Sequence, residues 1–167
     1  GSISNVNLTT TQINQFSDRL AIDWTSFNVN QNEMVKFVQP SSSSIVLNRI
    51  LDQSPSQIHG SIEANGHVIL VNPRGILFSE TSVVNVSAIT ASGLSINPTD
   101  FMNGDLLFKG DEGGSGTVIN RGIINASSVA LIGKQVTNDA TGLISAEVIS
   151  LSGAEEAILT FDADGMM

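Results

Sequence analysis

A short motif recurs in this chain at intervals that include a spacing of twenty residues. The sequence GIINA at residues 122–126 recurs as GLISA at residues 142–146, and GSIEA at residues 60–64 is an earlier copy. Each copy is followed by a second short apolar stretch, at 68–71 (VILV), 129–132 (VALI) and 148–151 (VISL). A unit of about twenty residues, with short strands and glycine or asparagine corners, fits one coil of a β-solenoid. The repeat therefore predicts an all-β fold in which equivalent strands of successive coils pair in parallel.

Neighbouring side chains of such a strand point to opposite faces. The alternation predicts that Ile62 and Ala64 point into the coil, and that Ile144 and Ala146 do so in a later coil. Small alanines suit a narrow lumen. Only 14% of the residues are charged and tyrosine is absent, a composition that favours strands over long amphipathic helices.

The first part of the chain lacks this repeat. Leu20, Ile22 and Trp24 alternate with their neighbours, and Phe27 then takes the opposite parity. Such a shift indicates a bend or bulge in a β segment. Because the end of a solenoid exposes unpaired strand edges and apolar lumen, we interpret residues 1–40 as an N-terminal β cap.

The predicted coils occupy residues 41–167 of a single domain that spans residues 1–167. Two segments interrupt them: residues 40–44 (PSSSS) are a polar connector, and residues 101–117 contain the glycine-rich sequence 110–116 (GDEGGSG). Clustered glycine and serine are typical of turns and loops, so we expect the second segment to project as an extra-helical hairpin. No closing element follows the last repeat, and we expect the chain to belong to a longer protein.

The charge and the composition exclude several classes of function. The chain has 16 acidic and 7 basic residues, and its net charge of −9 opposes binding to nucleic acid, which depends on Lys and Arg. No apolar run approaches the roughly 18 residues of a membrane span, so we expect no membrane insertion. The absence of cysteine excludes disulfides and thiolate metal sites. No basic and apolar leader opens the chain, so we expect either that a signal peptide has been removed or that none existed.

Several motifs occur in the order that is familiar from one bacterial family. They are 21–24 (AIDW), 26–29 (SFNV), 35–40 (VKFVQP), 47–50 (LNRI), 58–66 (IHGSIEANG) and 71–78 (VNPRGILF). Together they resemble the haemagglutination-activity domain of two-partner secretion (TPS) proteins, the family of filamentous haemagglutinin and the high-molecular-weight adhesins. The resemblance covers about half of the chain, and it implies a right-handed parallel β-helix.

The resemblance also implies a function. In this family the domain is the N-terminal secretion signal of a large exported adhesin, associated with virulence and biofilm. An outer-membrane β-barrel transporter with periplasmic polypeptide-binding modules recognises the domain and threads the chain outward. The domain then starts β-helix folding at the cell surface, ahead of a C-terminal passenger in the same chain. We expect a monomer that is secreted or held at the surface, without catalytic activity or cofactor.

The family signature N-P-N-G-I is similar to Asn72, Pro73, Arg74, Gly75 and Ile76, with Arg74 in the place of the second asparagine. Proline presets the second position of a turn, glycine permits a positive φ, and asparagine bonds to nearby backbone. We therefore expect the turn to survive the arginine. Two interpretations stay open: the transporter contacts this turn, or the turn is purely structural.

A second candidate lies in the LNRI motif. Asn48 and Arg49 are polar in an apolar context, so they form either a buried hydrogen-bonded pair or an exposed recognition site. Trp24, Leu47 and Ile50 are assigned to the core.

No constellation of residues supports catalysis or metal binding. His59 and His67 lack a third ligand, so we interpret them as turn or surface histidines and expect no metal. Residues 162–165 (DADG) resemble part of a calcium loop but lack its later acidic ligand, and residues 110–116 lack the Lys-Ser/Thr of a phosphate loop. An enzyme acting on polysaccharides is therefore disfavoured, although other parallel β-helices have that activity.

The main alternative is an adhesive module that binds host glycan or matrix directly. Aromatic residues make up only 5% of the chain, whereas glycan grooves expose stacking rings. We therefore expect adhesion to reside in the C-terminal passenger.

Overall fold

The computed structural model describes residues 1–110, 113–159, 161–162 and 165–166. Their elements are β1 (Ser2–Asn5), β2 (Thr10–Asn14), β3 (Arg19–Trp24), β4 (Met34–Val38), β5 (Ile45–Ile50), β6 (Ser56–Ile58), β7 (Ser61–Ala64), β8 (His67–Val71), β9 (Ile76–Phe78), β10 (Val83–Asn85), β11 (Ala88–Ser92), α1 (Pro98–Met102), β12 (Leu107–Lys109), β13 (Thr117–Asn120), β14 (Ile123–Asn125), β15 (Ser128–Gly133), β16 (Gln135–Asn138), β17 (Leu143–Ser145), β18 (Val148–Gly153), β19 (Glu156–Ile158), β20 (Phe161–Asp162) and β21 (Gly165–Met166).

Three sheets run along a parallel β-solenoid of about 6 turns, so the predicted fold class is confirmed. The first sheet has the order β1-β2-β4-β7-β10-β14-β17, the second β3-β5-β8-β11-β15-β18, and the third β6-β9-β13-β16. Every pairing within these sheets is parallel except β1 with β2.

The sequence repeats stack in register. Ile124 of β14 lies opposite Ile144 of β17 and Val84 of β10, and Val129 of β15 lies opposite Ile149 of β18. The predicted inward positions line the lumen: Ile62 is buried in the core of the coils, and Ala64, Ile144 and Ala146 pack against it. Burial of this apolar lumen drives the stacking of coils.

Parallel pairing begins inside the segment that was interpreted as a cap. β2 pairs in parallel with β4, and β3 pairs in parallel with β5, so both already belong to coils. Among the strands of residues 1–40, only β1 runs antiparallel, on the outer edge of the first sheet. The part of residues 1–40 that differs from a coil is therefore its first strand.

A second apolar core lies outside the coils, on the outer face of the second sheet. The sheet contributes Ile45, Leu47, Ile69, Val71, Ala130 and Ile132, and the covering segments contribute Leu94, Ile96, Phe101, Leu106, Phe108 and Leu159. The covered strands β5, β8, β11 and β15 are thus largely buried on both faces, and β8 is accordingly a continuous buried run instead of an alternating one.

As predicted, residues 101–110 lie outside the coils, but they do not project from them, and Thr117 already belongs to β13 of the third sheet. Phe101 and Phe108 are fully buried, and β12 pairs antiparallel with β19 instead of with β13. The short helix α1 is capped by Asn97, whose side chain accepts hydrogen bonds from the backbone amides of Thr99 and Asp100. The large aromatic side chains hold this segment against the sheet because burying them removes much apolar area from water.

Candidate functional site

The turn at residues 72–76 is built around one buried side chain. Asn72 is fully buried; its Nδ2 donates to the carbonyl of Ser54 (3.2 Å) and to Oγ of Ser56 (3.0 Å), and its Oδ1 accepts from the backbone of Arg74 (2.9 Å). The Gly75 amide donates to the Asn72 carbonyl at 2.9 Å, which closes a turn with Pro73 in its second position. Asn72 therefore holds neighbouring coils together and is shielded from solvent.

Arg74 lies on the accessible side of this turn. Its guanidinium donates to Oε1 of Gln53 (3.0 Å) and to the carbonyl of Gly113. Ser115 Oγ donates to the Arg74 carbonyl at 2.7 Å, and the Gly116 amide donates to the Pro73 carbonyl at 3.0 Å. The long arginine thus connects the turn with two neighbouring loops.

Gly75 is the position in the turn that needs glycine. Its φ is +118°, a conformation that side chains of L-residues rarely adopt. Ile76, the next residue, begins β9 and is buried. The signature residues therefore divide into a buried group and a surface group formed by Pro73 and Arg74.

Asn48 and Arg49 point in opposite directions and do not form a pair. Asn48 is buried in the lumen, where it accepts from Trp24 Nε1 (2.9 Å) and donates to the Ile69 carbonyl (3.2 Å). Arg49 donates from Nε and Nη2 to the carboxylate of Asp23, at 2.8 Å each. This two-point hydrogen bond lowers the pKa of the Asp23 carboxyl and raises the pKa of the Arg49 guanidinium.

A single groove brings the surface members of both candidates together. It encloses about 260 Å³ and is lined, among others, by Arg49, Leu51, Gln53, Pro73, Arg74 and Ile96. We call it the Arg49–Arg74 groove. Leu51 and Gln53 were not predicted from the sequence. The available signal for Leu51 was its position, as an apolar residue directly after the LNRI motif at 47–50.

The two histidines lie in different environments. His59 is hydrogen-bonded to Gln57 at the end of β6, whereas His67 is buried and its Nε2 lies 2.9 Å from Oγ1 of Thr90. The predicted turn or surface position is wrong for His67, because its strand is covered on the outer face. Burial, and to a smaller extent the charge of Arg19, lowers the pKa of His67 to about 3.

Within the described residues, no group of three or more His, Asp or Glu is arranged to hold a metal ion. The candidate calcium fragment includes residues 163 and 164, which lie outside that part of the chain. No helix in the described part is long and apolar enough to cross a membrane.

The comparison with protein families decides the assignment. The model of the TPS secretion domain matches residues 2–163. The chain belongs to the TPS secretion-domain family. Its solved relatives include the HMW1 secretion domain from Haemophilus influenzae, which superposes with a TM-score of 0.87 at 31% identity. That alignment covers 99% of this chain and 45% of the other, so the match extends to the whole arrangement of coils.

Two curated relatives are heme/hemopexin-binding proteins of Haemophilus influenzae. They are 40% and 39% identical to this TPS domain over 80 residues, or 48% of the chain. The matched part is 9% of the length of each relative. Family and fold are those of a secretion domain and not of an enzyme class, and membership implies export with a cognate outer-membrane transporter.

Proposed function

We propose that this TPS domain is the secretion signal of an adhesin, that its β-barrel transporter recognises it in the periplasm, and that it starts β-helix folding at the cell surface. The observation that carries the proposal is the family match over residues 2–163. The similarity to the HMW1 secretion domain over nearly the whole chain supports it.

The geometry of the signature turn favours different roles for its buried and its surface residues. Asn72 is fully buried and hydrogen-bonded on both ends of its amide, so its role is to stabilise the fold. Pro73 and Arg74 are half-exposed and line the Arg49–Arg74 groove. We infer that contacts with the transporter involve these surface residues, while Asn72 acts through the shape of the turn.

Folding at the cell surface would give export its direction. The strands of the coils pair in parallel with the equivalent strands of the preceding coil, so a coil that has left the barrel is stabilised by the coil before it. Such stacking opposes backward sliding of the chain without nucleotide hydrolysis.

The test is export of this chain from bacteria with and without its cognate outer-membrane transporter. We expect the chain to appear in the medium only when the transporter is present. A transporter with its periplasmic modules deleted is the matched control, and it should leave the chain inside the cell. Export that does not depend on the transporter, or no export when the transporter is present, would contradict the proposal. Either outcome would favour an adhesive module, and a glycan array probed with the same chain would test that alternative.

A further inference from the structure

Two segments from distant parts of the chain close the second core from outside. The first is residues 94–110, which we call the outer cover. The second is residues 155–159, which we call the strap; it follows β18 after one residue and contains β19. Leu159, at the end of the strap, is 7% exposed and belongs to the same core as Phe108, and the other buried members of that core lie at residue 132 or before. The strap therefore completes a core that is otherwise built from earlier parts of the chain.

The strap is the main pairing partner of β12. β19 pairs antiparallel with β12 along its whole length, and the strap forms backbone hydrogen bonds of 2.7 Å to Gly110 and 3.0 Å to Leu106. Among the described residues, the opposite side of β12 forms only an isolated bridge, between Lys109 and Ser95. Without the strap, β12 would keep that short bridge and lose the pairing along its other edge, which costs free energy where water is excluded.

Two coils separate the strap from β12 in the sequence. The intervening strands β13 to β18 contribute two strands to each of the three sheets. Ala154, which precedes the strap, donates its amide to the Gly133 carbonyl at the end of β15, at 2.8 Å. The position of the strap thus depends on the stacking of β18 on β15.

Together, the outer cover and the strap connect the two edges of the second sheet. The edge strands of that sheet are β3 and β18, with four strands between them. At one edge, Arg19 of β3 donates to the Phe101 carbonyl at 3.0 Å and so connects β3 with α1. At the other edge, the strap continues from β18. In a simple solenoid each repeat stabilises only its neighbours, so this outer layer adds a connection that the coils themselves do not provide.

We propose that the strap docks after the last coils have stacked, that it holds the outer cover closed, and that this closure makes the coils unfold as one cooperative unit. With the strap undocked, the outer cover opens, and β18 frays independently of β5 and β8. The inference goes beyond the proposed function, because it concerns the folding of this chain alone and requires no transporter.

Hydrogen exchange of the purified chain, followed by mass spectrometry, tests the role of the strap. The test variant is Leu159→Ser, which changes the buried end of the strap, and the matched control is Ile158→Ser, because the neighbouring Ile158 is 70% exposed. The readout is the exchange rate of amides in β12, and of the amides of β18 that pair with β15, relative to the rate in β8.

In the wild type, we expect these amides to exchange within about tenfold of those in β8, because one global opening releases all of them. In Leu159→Ser, the amides of β12 and β18 should exchange at least about 100-fold faster than those of β8, because they open locally. The control should keep the wild-type ratio.

A disulfide provides a second test that leaves the core unchanged. Lys109 lies opposite Glu156, and its backbone amide and carbonyl bond to Ser95 instead of to the strap. The two residues are therefore a non-hydrogen-bonded antiparallel pair, with Cα atoms about 4.5 Å apart, a separation that a disulfide can span. The chain has no cysteine, so Lys109→Cys combined with Glu156→Cys permits one disulfide only. Oxidation should restore slow exchange of β12 and β18 in Leu159→Ser, and reduction should reverse the effect.

Two results would overturn the proposal. One is wild-type exchange in β12 at least about 100-fold faster than in β8, because the outer cover would then open with the strap in place. The other is faster exchange in Leu159→Ser that is confined to residues 155–159, because the outer cover would then not need the strap.

If Leu159→Ser does not fold, the double cysteine variant decides the question in the otherwise unchanged chain. Oxidation should then slow exchange at β3 and β18 alike, at opposite edges of the second sheet. An effect confined to β12 and β19 overturns the proposal. These measurements do not involve export, so the proposed function stands or falls separately.

Discussion

The side-chain amide of Asn72 connects the end of β8 with the loop before β6. Its Nδ2 and Oδ1 together form three hydrogen bonds inside the protein. An alanine at this position would leave the Ser54 carbonyl and the Arg74 amide without these partners. Since an unsatisfied buried group costs about 1–3 kcal/mol, Asn72→Ala should lower the free energy of unfolding by about 3 kcal/mol, measured by urea denaturation.

The control is Asn28→Ala, which removes one exposed hydrogen bond, from the Gln57 amide to Oδ1 at 2.9 Å. Water replaces that acceptor, so the change should stay below about 1 kcal/mol. If Asn72→Ala were as stable as Asn28→Ala and still blocked export, Asn72 would be a contact residue and not a structural one.

His67 makes stability depend on pH. Its pKa is about 3 in the folded protein and about 6.5 in an unfolded chain, so the unfolded state binds more protons between these values. The neutral imidazole therefore contributes stability that is fully present above about pH 6.5 and is lost as the pH falls towards 3. At about 1.4 kcal/mol per pH unit, wild type should lose about 2 kcal/mol more than His67→Gln between pH 7 and pH 5.

Urea denaturation at both pH values measures this difference. The pH-dependent contribution of the carboxylates is the same in both proteins and therefore cancels in the comparison. His59→Gln is the control, because it replaces a histidine outside the core. Parallel pH curves for wild type and His67→Gln would show that the buried imidazole is not the cause.

At the scale of elements, α1 holds the outer cover on the second sheet. Two adjacent residues of this helix differ in environment: Phe101 is fully buried, and Met102 is 49% exposed. Arg19 of β3 adds a hydrogen bond from Nη1 to the Phe101 carbonyl at 3.0 Å and lies over the Phe101 ring. Phe101→Ala should therefore destabilise the protein by about 3–5 kcal/mol, and Met102→Ala by less than about 1 kcal/mol.

Thermal unfolding of the two variants provides the measurement, and hydrogen exchange separates local from global loss. Faster exchange confined to α1 and β12 would mean that the cover opens by itself while the coils stay intact. Equal stability of the two variants would contradict a second core beneath the helix.

The coils could be predicted from the sequence because a periodic fold repeats its signals. The glycines at 122 and 142 and the alternation after them predict the register in which Ile124 meets Ile144. The outer cover is not periodic, so no repeat marks Phe101 or Phe108. Its signal was indirect: continuously apolar strands such as β8 need burial on both faces, and something must therefore cover the outer one.

The candidate site was predictable only in part. Proline and glycine near Asn72 define a turn through local chemistry, without knowledge of the fold. The partners of Asn48 and Arg49 depend instead on the register between β3 and β5, in which Asp23 lies opposite Arg49. The pairing of β3 with β5 joins residues that are far apart in sequence, and no repeat marks its register. The sequence alone therefore did not decide between a buried pair and an exposed site for Asn48 and Arg49.

At the scale of the whole molecule, stability accumulates coil by coil. The lumen is one continuous apolar core, and each coil contacts mainly its neighbours through parallel ladders. Damage to one coil therefore weakens the stacking of those that leave the transporter after it. This couples the folding energy of any single coil to the progress of the entire chain.

Export rates should therefore follow stability if folding outside the cell drives export. Ile124 is fully buried in the lumen and its neighbour Ile123 is 38% exposed, so Ile124→Asp buries a charge while Ile123→Asp does not. In cells with the transporter, we expect Ile124→Asp to slow the appearance of this chain in the medium at least about tenfold, and Ile123→Asp to leave it within about twofold. Asn72→Ala and Phe101→Ala, in other parts of the fold, should fall between them in the order of their unfolding free energies. If Ile124→Asp were exported at the wild-type rate, folding would not drive export, because the variant with the most destabilised coil would show no loss of rate.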